Sequence, residues 1–296
     1  MLPLLPLPKV GKPTIFKFLS IIARLENTVL KELFHIKNDS SKNTPEVLSL
    51  RVGEKHISFS VTDKSGTELY ELAYGTAGVL NENELINFLA AYPALSSSFL
   101  EILVAYDYPQ SIVIPSADIK QEEAGILLNT SYHNNQLPVV EAISHWQLYN
   151  VFAAPKEIQE WVSKKFPAAK SGHQYSLEIG NVTAADSSGI IQVDFRKDDF
   201  TILVARESKL LLANAFEYST PEDVLYFLLK ICQQFSLHQQ EVELQLSGLI
   251  DKKSTLYNEL YQYFIRVKFR EASWNAQGEY PAHFFTSLND LARCVS

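Results

Sequence analysis

The chain has 296 residues, 46% hydrophobic and 20% charged, with a formal net charge of −8. That length suits two domains of ordinary size, and the acidic balance, with no long run of Lys and Arg, argues against nucleic acid as a direct partner. Two cysteines, Cys232 and Cys294, are too few for a disulfide framework and fit a reducing cytoplasm.

In the opening stretch, MLPLLPLPKVGKPTIFKFLSIIARLENTVLKELFHI, Pro3, Pro6 and Pro8 break the apolar run before a secretory core can form. No run of about 18 apolar residues follows, so no membrane span is expected. Ile15, Phe18, Leu19, Ile22, Leu25, Val29, Leu33 and Ile36 recur at helical spacing, with Lys17, Arg24 and Lys31 among them. This predicts an amphipathic helix packed on the protein itself. The alternative is membrane association through residues 15–36. The stretch NDSSKNTP (38–45) reads as a linker.

Three strand-like runs come next: VLSLRV (47–52), HISFSVTD (56–63) and TELYELAY (67–74), joined by turns containing Gly53 and Gly66. Asn81 opens a helix, with Glu84 completing a capping box and Leu85, Phe88, Leu89 and Tyr92 forming its apolar face. FLEILVAY (99–106) reads as the next strand. Farther on, QLYNVFAAP (147–155) reads as a strand. KEIQEWVSKKF (156–166) reads as a helix with Ile158, Trp161, Val162 and Phe166 inward.

The second half repeats the pattern. GIIQVDF (189–195), FTILVAR (200–206) and KLLLANAF (209–216) are strand-like, and Thr220 caps a helix with Pro221 first and Asp223 at the capping-box position. Val224, Phe227, Leu228 and Ile231 make its apolar face, and EVELQLS (241–247) reads as the following strand. Subtracting 139 places Thr220, Val224, Phe227, Leu228 and Ile231 on Asn81, Leu85, Phe88, Leu89 and Tyr92, which indicates internal duplication. STLYNELYQY looks helical and FIRVKF strand-like. Three antiparallel strands, a helix and a further strand, twice over, outline an α/β protein of duplicated ribonuclease H-like domains. Residues 1–45 are read as an extension with the amphipathic helix, 46–170 as the first domain and 171–296 as the second.

The runs KLLLANAFEYSTPEDVLYFLLKICQQFSL, VELQLSGLI and IVIPSADIKQEEAGILLN…VFAAPKEIQEWVSKKFP resemble an uncharacterised Bacteroidetes family, a domain of unknown function. The resemblance covers roughly residues 45 to 275 and implies an actin-like ATPase arrangement, similar to pilus-assembly and type II secretion components. It implies no established activity.

The resemblance also implies where a nucleotide would bind: two hairpin loops, each with an Asp and a glycine, because backbone amides must approach phosphate closely. In RVGEKHI, Gly53 is present but Arg51 and Val52 stand where an acid is wanted; in VDFRKDDF, Asp194 is present without a glycine. Asp194 is therefore read as a strand-end turn residue. The adenosine loop would fall at LSGLID, where Ser247 and Gly248 are a remnant. If nucleotide binds, the candidates are Gly53, Asp194, Ser247 and Gly248. Only 11 glycines occur, below the usual level of about 7%. The helix after Thr220 starts with Glu222 and Asp223, which would repel phosphate.

No histidine pair has metal-ligand spacing, although His133 and His145 could meet in space. Cys232 falls in a helical apolar pattern and reads as a core thiol, and SWNAQGEYPAHFF (273–285) reads as a packed C-terminal tail, with a partner-docking segment as the alternative. The expectation is a non-enzymatic cytoplasmic interaction or scaffold protein with a degenerate nucleotide site, no catalytic residue, no cofactor, no metal and a protein partner. The alternatives are a nucleotide-binding switch with altered phosphate loops and a peripheral membrane-associated assembly component.

Overall fold

The computed structural model describes residues 30–38, 46–116, 120–132, 137–182, 186–274 and 280–294. The expectations placed on residues 15–29, on the linker residues 39–45 and on His133 lie outside the described residues.

The chain enters through β1 (Lys31–Lys37), then β2 (Glu46–Gly53), β3 (His56–Asp63) and β4 (Leu69–Thr76). Helix α1 (Glu82–Ala91) and strand β5 (Glu101–Asp107) follow. An inserted unit of β6 (Ser111–Pro115), α2 (Gln121–Tyr132), β7 (Val139–Ile143) and β8 (Leu148–Phe152) comes before α3 (Lys156–Lys165), β9 (Lys170–His173) and α4 (Gln174–Asn181). The second half runs β10 (Ile190–Phe195), β11 (Asp199–Arg206), β12 (Lys209–Glu217), α5 (Pro221–Phe235), β13 (Glu243–Gly248), α6 (Thr255–Tyr263), β14 (Arg266–Phe269) and α7 (Thr286–Ala292).

The two main sheets have the same plan. The first is ordered β1-β4-β3-β2-β5-β9 and the second β12-β11-β10-β13-β14, so β4-β3-β2-β5-β9 matches β12-β11-β10-β13-β14 strand for strand. The hairpins are antiparallel and the β2–β5 and β10–β13 pairs parallel in both. The duplication read from the sequence is therefore real, but its offset drifts. The helix caps superpose at 139, whereas the hairpin pair Val52/Ile57 corresponds to Phe195/Phe200, an offset of 143 (195 minus 52). The β3–β4 connection spans 64–68, while β11 and β12 are joined by Glu207 and Ser208 alone. Both of those residues have positive φ, 50° and 62°, as a two-residue primed hairpin turn requires.

Each sheet buries one face under two helices. Leu85 and Phe88 of α1 and Ile158, Trp161 and Val162 of α3 pack on Leu48, Leu50, Ile57 and Phe59. Val224, Leu228 and Ile231 of α5 and Leu260 of α6 pack on Ile191, Val193, Ile202 and Leu244. Both capping boxes are formed: the Asn81 side chain accepts from Glu84 N and the Thr220 side chain from Asp223 N, each answered by the acid.

Between the sheets lie α4 and α7, and each packs on the sheet of the other half as well as on its own, α4 through Leu177 against Leu103 and Ala105. Helix α4 follows β9 but buries Tyr175 and Ile179 against Ile190, Leu203 and Ala205 of the second sheet. Helix α7 follows the second sheet but buries Leu288 against Leu69 and Leu72, and Leu291 against Val47, Leu103 and Ala105, of the first. The boundary drawn at 170/171 falls at β9, which completes the first sheet.

Three expectations change. Residues 31–37 are a strand, paired antiparallel with β4 (Ile36 opposite Leu72), and not the end of an amphipathic helix. Leu33, Phe34 and Ile36 satisfy either period over so short a run, and the open edge of β4 decides between them. Phe227 is half-buried, stacked on Phe216 with ring centroids 4.3 Å apart, while Leu225 takes a buried place on α5. The inserted β6-β8-β7 sheet was not anticipated beyond β8; Leu128 of α2 packs on one face with Val151, and Val113 and Leu148 of the other join the cluster containing Leu210 of β12. Trp274, His283 and Phe285 are buried, so the described parts of 273–285 pack as a tail. Among the described residues, no helix is long and apolar enough to cross a membrane.

Candidate functional site

Where the two repeats face each other, the ends of β2, β5, β10 and β13 and the β10–β11 turn converge. Asp107 ends β5, in register beside Gly53, and Asp194 sits next to last in β10, beside Ser247. Arg51 comes from β2, where it is flanked by the buried Leu50 and Val52, and Arg196 from the turn after Phe195. All four charged side chains are at most 7% exposed.

These charges pair across the cleft. The Arg51 guanidinium lies between two carboxylates from different halves: Nη2 is 2.7 Å from Asp107 Oδ2 and donates to Asp194 Oδ2 at 2.8 Å. Arg196 reaches back, donating through Nη1 to Asp107 Oδ2 at 3.2 Å and to Thr201 Oγ1 at 2.7 Å, and it also pairs with Asp199. Ser247 Oγ donates to Asp194 Oδ1 at 2.8 Å. His56 Nε2 lies 3.1 Å from Asp107 Oδ2, and its ring stacks on Tyr74 at 5.8 Å. At the mouth, Lys55 Nζ meets Glu217 Oε1 at 3.1 Å.

Burial alone would neutralise these groups. For Asp107 burial acts upward on the pKa, but Arg196 and Arg51 outweigh it and hold the carboxyl well below its usual range. Asp194 is likewise held low, by Arg51 and Arg196 against burial. Both guanidiniums are raised, the carboxylates overcoming burial. Burial holds His56 below its usual value despite the Asp107 contact. Glu178 on α4 accepts from Gln174 Nε2 at 3.0 Å and is pushed up to about 7 by burial and then by the Asp194 charge. Helix α4 is fixed at its start by His173, whose Nδ1 accepts from Tyr175 N while Nε2 donates to the Tyr108 carbonyl at 2.9 Å. Burial pushes His173 down to about 4, so it caps as a neutral ring.

The four residues singled out from the sequence do meet here. Asp194 is no turn residue: it is a buried strand residue bonded to Arg51 and Ser247, because its partner comes from the other half of the chain. Gly53 gives room to His56, since a Cβ there would lie 2.1 Å from the imidazole Cε1. Gly248 has φ +76°, and a Cβ would lie 2.1 Å from the Phe195 carbonyl oxygen. Both glycines thus serve close packing. Sequence reasoning passed over Asp107, Arg196 and His56 and read Arg51 only as a missing acid. The available signal was a lone Arg inside VLSLRVG, since a charge in a doubly buried strand demands partners. Above the network about 70 Å³ remains, bordered by Lys55, Phe216 and Glu217. That is room for a few waters, at about 10–15 Å³ each. Among the described residues, no group of three or more His, Cys, Asp or Glu is arranged to hold a metal ion.

A family model described as a protein of unknown function, DUF3822, matches residues 35–267. The chain belongs to the DUF3822 family. A Bacteroides thetaiotaomicron protein described as having an actin-like ATPase fold and unknown function is similar over 87% of this chain and 99% of its own, with 22% identity and a TM-score of 0.72. A PilM–PilN type IV pilus biogenesis complex is similar over 85% of this chain and 99% of that one, with 13% identity and a TM-score of 0.56. No curated protein matches the chain. This DUF3822 member therefore has the actin-like ATPase fold, with its charged network in the cleft between the repeats.

Proposed function

We propose that this protein is a non-enzymatic, cytoplasmic interaction or scaffold protein whose cleft is closed by its own side chains. The observation that carries the reading is the Arg51 guanidinium between Asp107 and Asp194. A metal-bound phosphate needs free carboxylate oxygens for the cation and open backbone amides for the anion. Here Arg51 takes the cation's place between the carboxylates, and the Gly53 position is covered by His56. Carboxylates held far below the usual pKa are also weak general bases. The pilus complex, itself an assembly of two proteins, is an instance of this fold engaged with a protein partner and supports the reading by analogy.

The test is titration of ATP with magnesium, followed by calorimetry and thermal unfolding. We expect no saturable heat and no shift in Tm. A ligand at about 100 times its Kd would add about 2.7 kcal/mol of stability, so a clear upward shift at millimolar nucleotide would overturn the proposal in favour of a nucleotide-binding switch.

A further inference from the structure

On the face of the first sheet opposite α7, a groove of about 410 Å³ runs between β1 and α1. Its size lies within the range of binding pockets, about 300–1,000 Å³. The floor is apolar, made by Leu30, Phe88 and Tyr92, and the walls carry Glu32, Glu84 and the amides of Asn83 and Asn87; among the described residues, no Lys, Arg or His lines it.

Glu84 is the informative residue. It is 5% exposed, and its Oε1 is buried with no hydrogen-bond partner among the described residues. Its other oxygen is committed, accepting from Asn81 N at 3.0 Å in the capping box. A buried acceptor left without a donor costs about 1–3 kcal/mol, so the groove holds an unpaired carboxyl oxygen on a group whose pKa burial raises and which a cationic donor would hold ionised. Glu32, fixed by the Tyr92 hydroxyl, puts a second carboxylate at the rim. The start of α1 brings a partial positive charge, but the Asn81 side chain already accepts from the amides of Asn83 and Glu84. Two carboxylates outweigh what remains, and an anion is disfavoured.

We propose that this groove binds a basic side chain, arginine or lysine, presented by a partner polypeptide. The charged head would donate to Glu84 and Glu32, and the aliphatic stem would lie along Leu30, Phe88 and Tyr92, the arrangement long cationic side chains favour. The groove shares no lining residue with the charged network or the cavity above it, so this inference stands or falls separately from the proposed function.

The test is an NMR titration of the full chain with N-acetyl-Leu-Arg-Leu-amide and with its citrulline counterpart, which has the same shape and no charge. We expect saturable shifts at Gly75, Asn83 and Asn87, with the arginine peptide at least about fivefold tighter, as charge-assisted bonds imply. Glu84→Gln should remove that preference and leave citrulline binding unchanged. Glu32→Gln, on an exposed strand position, should reduce the preference and keeps the test readable if Glu84→Gln loosens the helix cap. Equal affinity for the two peptides, shifts confined to other surfaces, or no shift at roughly 10 mM, where even a Kd weaker than 1 mM would register, would overturn the proposal. Residues 1–29 carry Lys9, Lys12, Lys17 and Arg24. If a chain beginning at Leu30 binds the arginine peptide and the full chain does not, the occupant is the chain's own N-terminal stretch and a partner is not involved.

Discussion

Arg51 makes charged contacts with carboxylates from both repeats, Asp107 and Asp194, as Arg196 does with Asp107 and Asp199. Asp194 is 143 residues away from Arg51, so neither spacing nor periodicity links the two, and the sequence displays only an arginine where the resemblance implies an aspartate. Removing one member of a buried pair strands the other, which costs about 3–5 kcal/mol. Arg51→Met should therefore destabilise the protein by about that amount in urea denaturation. Combining it with Asp194→Leu should cost less than the sum of the single changes, because the second change removes the charge the first one strands. A loss below about 1 kcal/mol for Arg51→Met would show that the network contributes little to holding the repeats together. Asp107, by contrast, stands one residue beyond the strand read from the sequence, and its role becomes visible only when β5 is placed beside β2.

The elements were far more legible than the site, and the reason is local chemistry. Capping boxes, Pro at the first helical position and runs of alternating or periodic apolar residues act within a few positions, so both repeats could be outlined from residues such as Asn81, Glu84, Thr220 and Asp223. What a local pattern lacks is the neighbour. Residues 31–37 became a strand because β4 offered an unpaired edge, whereas among the described residues no strand pairs with the outer edge of β12. That difference separates two otherwise equivalent phenylalanines. Phe88 is 1% exposed and packs edge-on against Phe59 and Tyr92, while Phe227 stacks on Phe216 of the edge strand β12 and stays half-buried. Phe88→Ala should cost about 3–5 kcal/mol and Phe227→Ala about half that, since a partly exposed ring leaves a smaller cavity. Thr220→Ala removes one cap and should cost about 1 kcal/mol. Chemical denaturation of the three variants checks the order; equal losses for Phe88→Ala and Phe227→Ala would mean that the extra strand does not distinguish the repeats.

At the scale of the whole molecule, α4 and α7 each bridge the two sheets, so each repeat helps complete the other, with the charged network at the joint. Stability should then depend on protons bound at that joint. Asp107 and Asp194 have folded pKa values below their unfolded ones, so their contribution is present above the unfolded value and is lost as pH falls through the folded one. His173, pushed down to about 4, behaves in the same sense, costing stability as pH drops below the unfolded histidine value. Glu178 acts oppositely. Its folded pKa of about 7 lies above the unfolded carboxyl range, so its contribution is complete below the unfolded value and is lost as pH rises through about 7. The whole-protein profile therefore mixes opposing slopes, and the informative quantity is a difference. Glu178→Gln keeps the shape and the contact with Gln174 but cannot ionise beside Asp194. The variant should match the wild type near pH 4, below the unfolded carboxyl value, and become more stable than it above pH 8, by on the order of 3 kcal/mol, the free energy equivalent of the shift. Urea denaturation at the two pH values measures it. A difference that stays constant with pH would show that Glu178 does not gain a charge at the joint, and that the two repeats meet without the electrostatic tension the geometry implies.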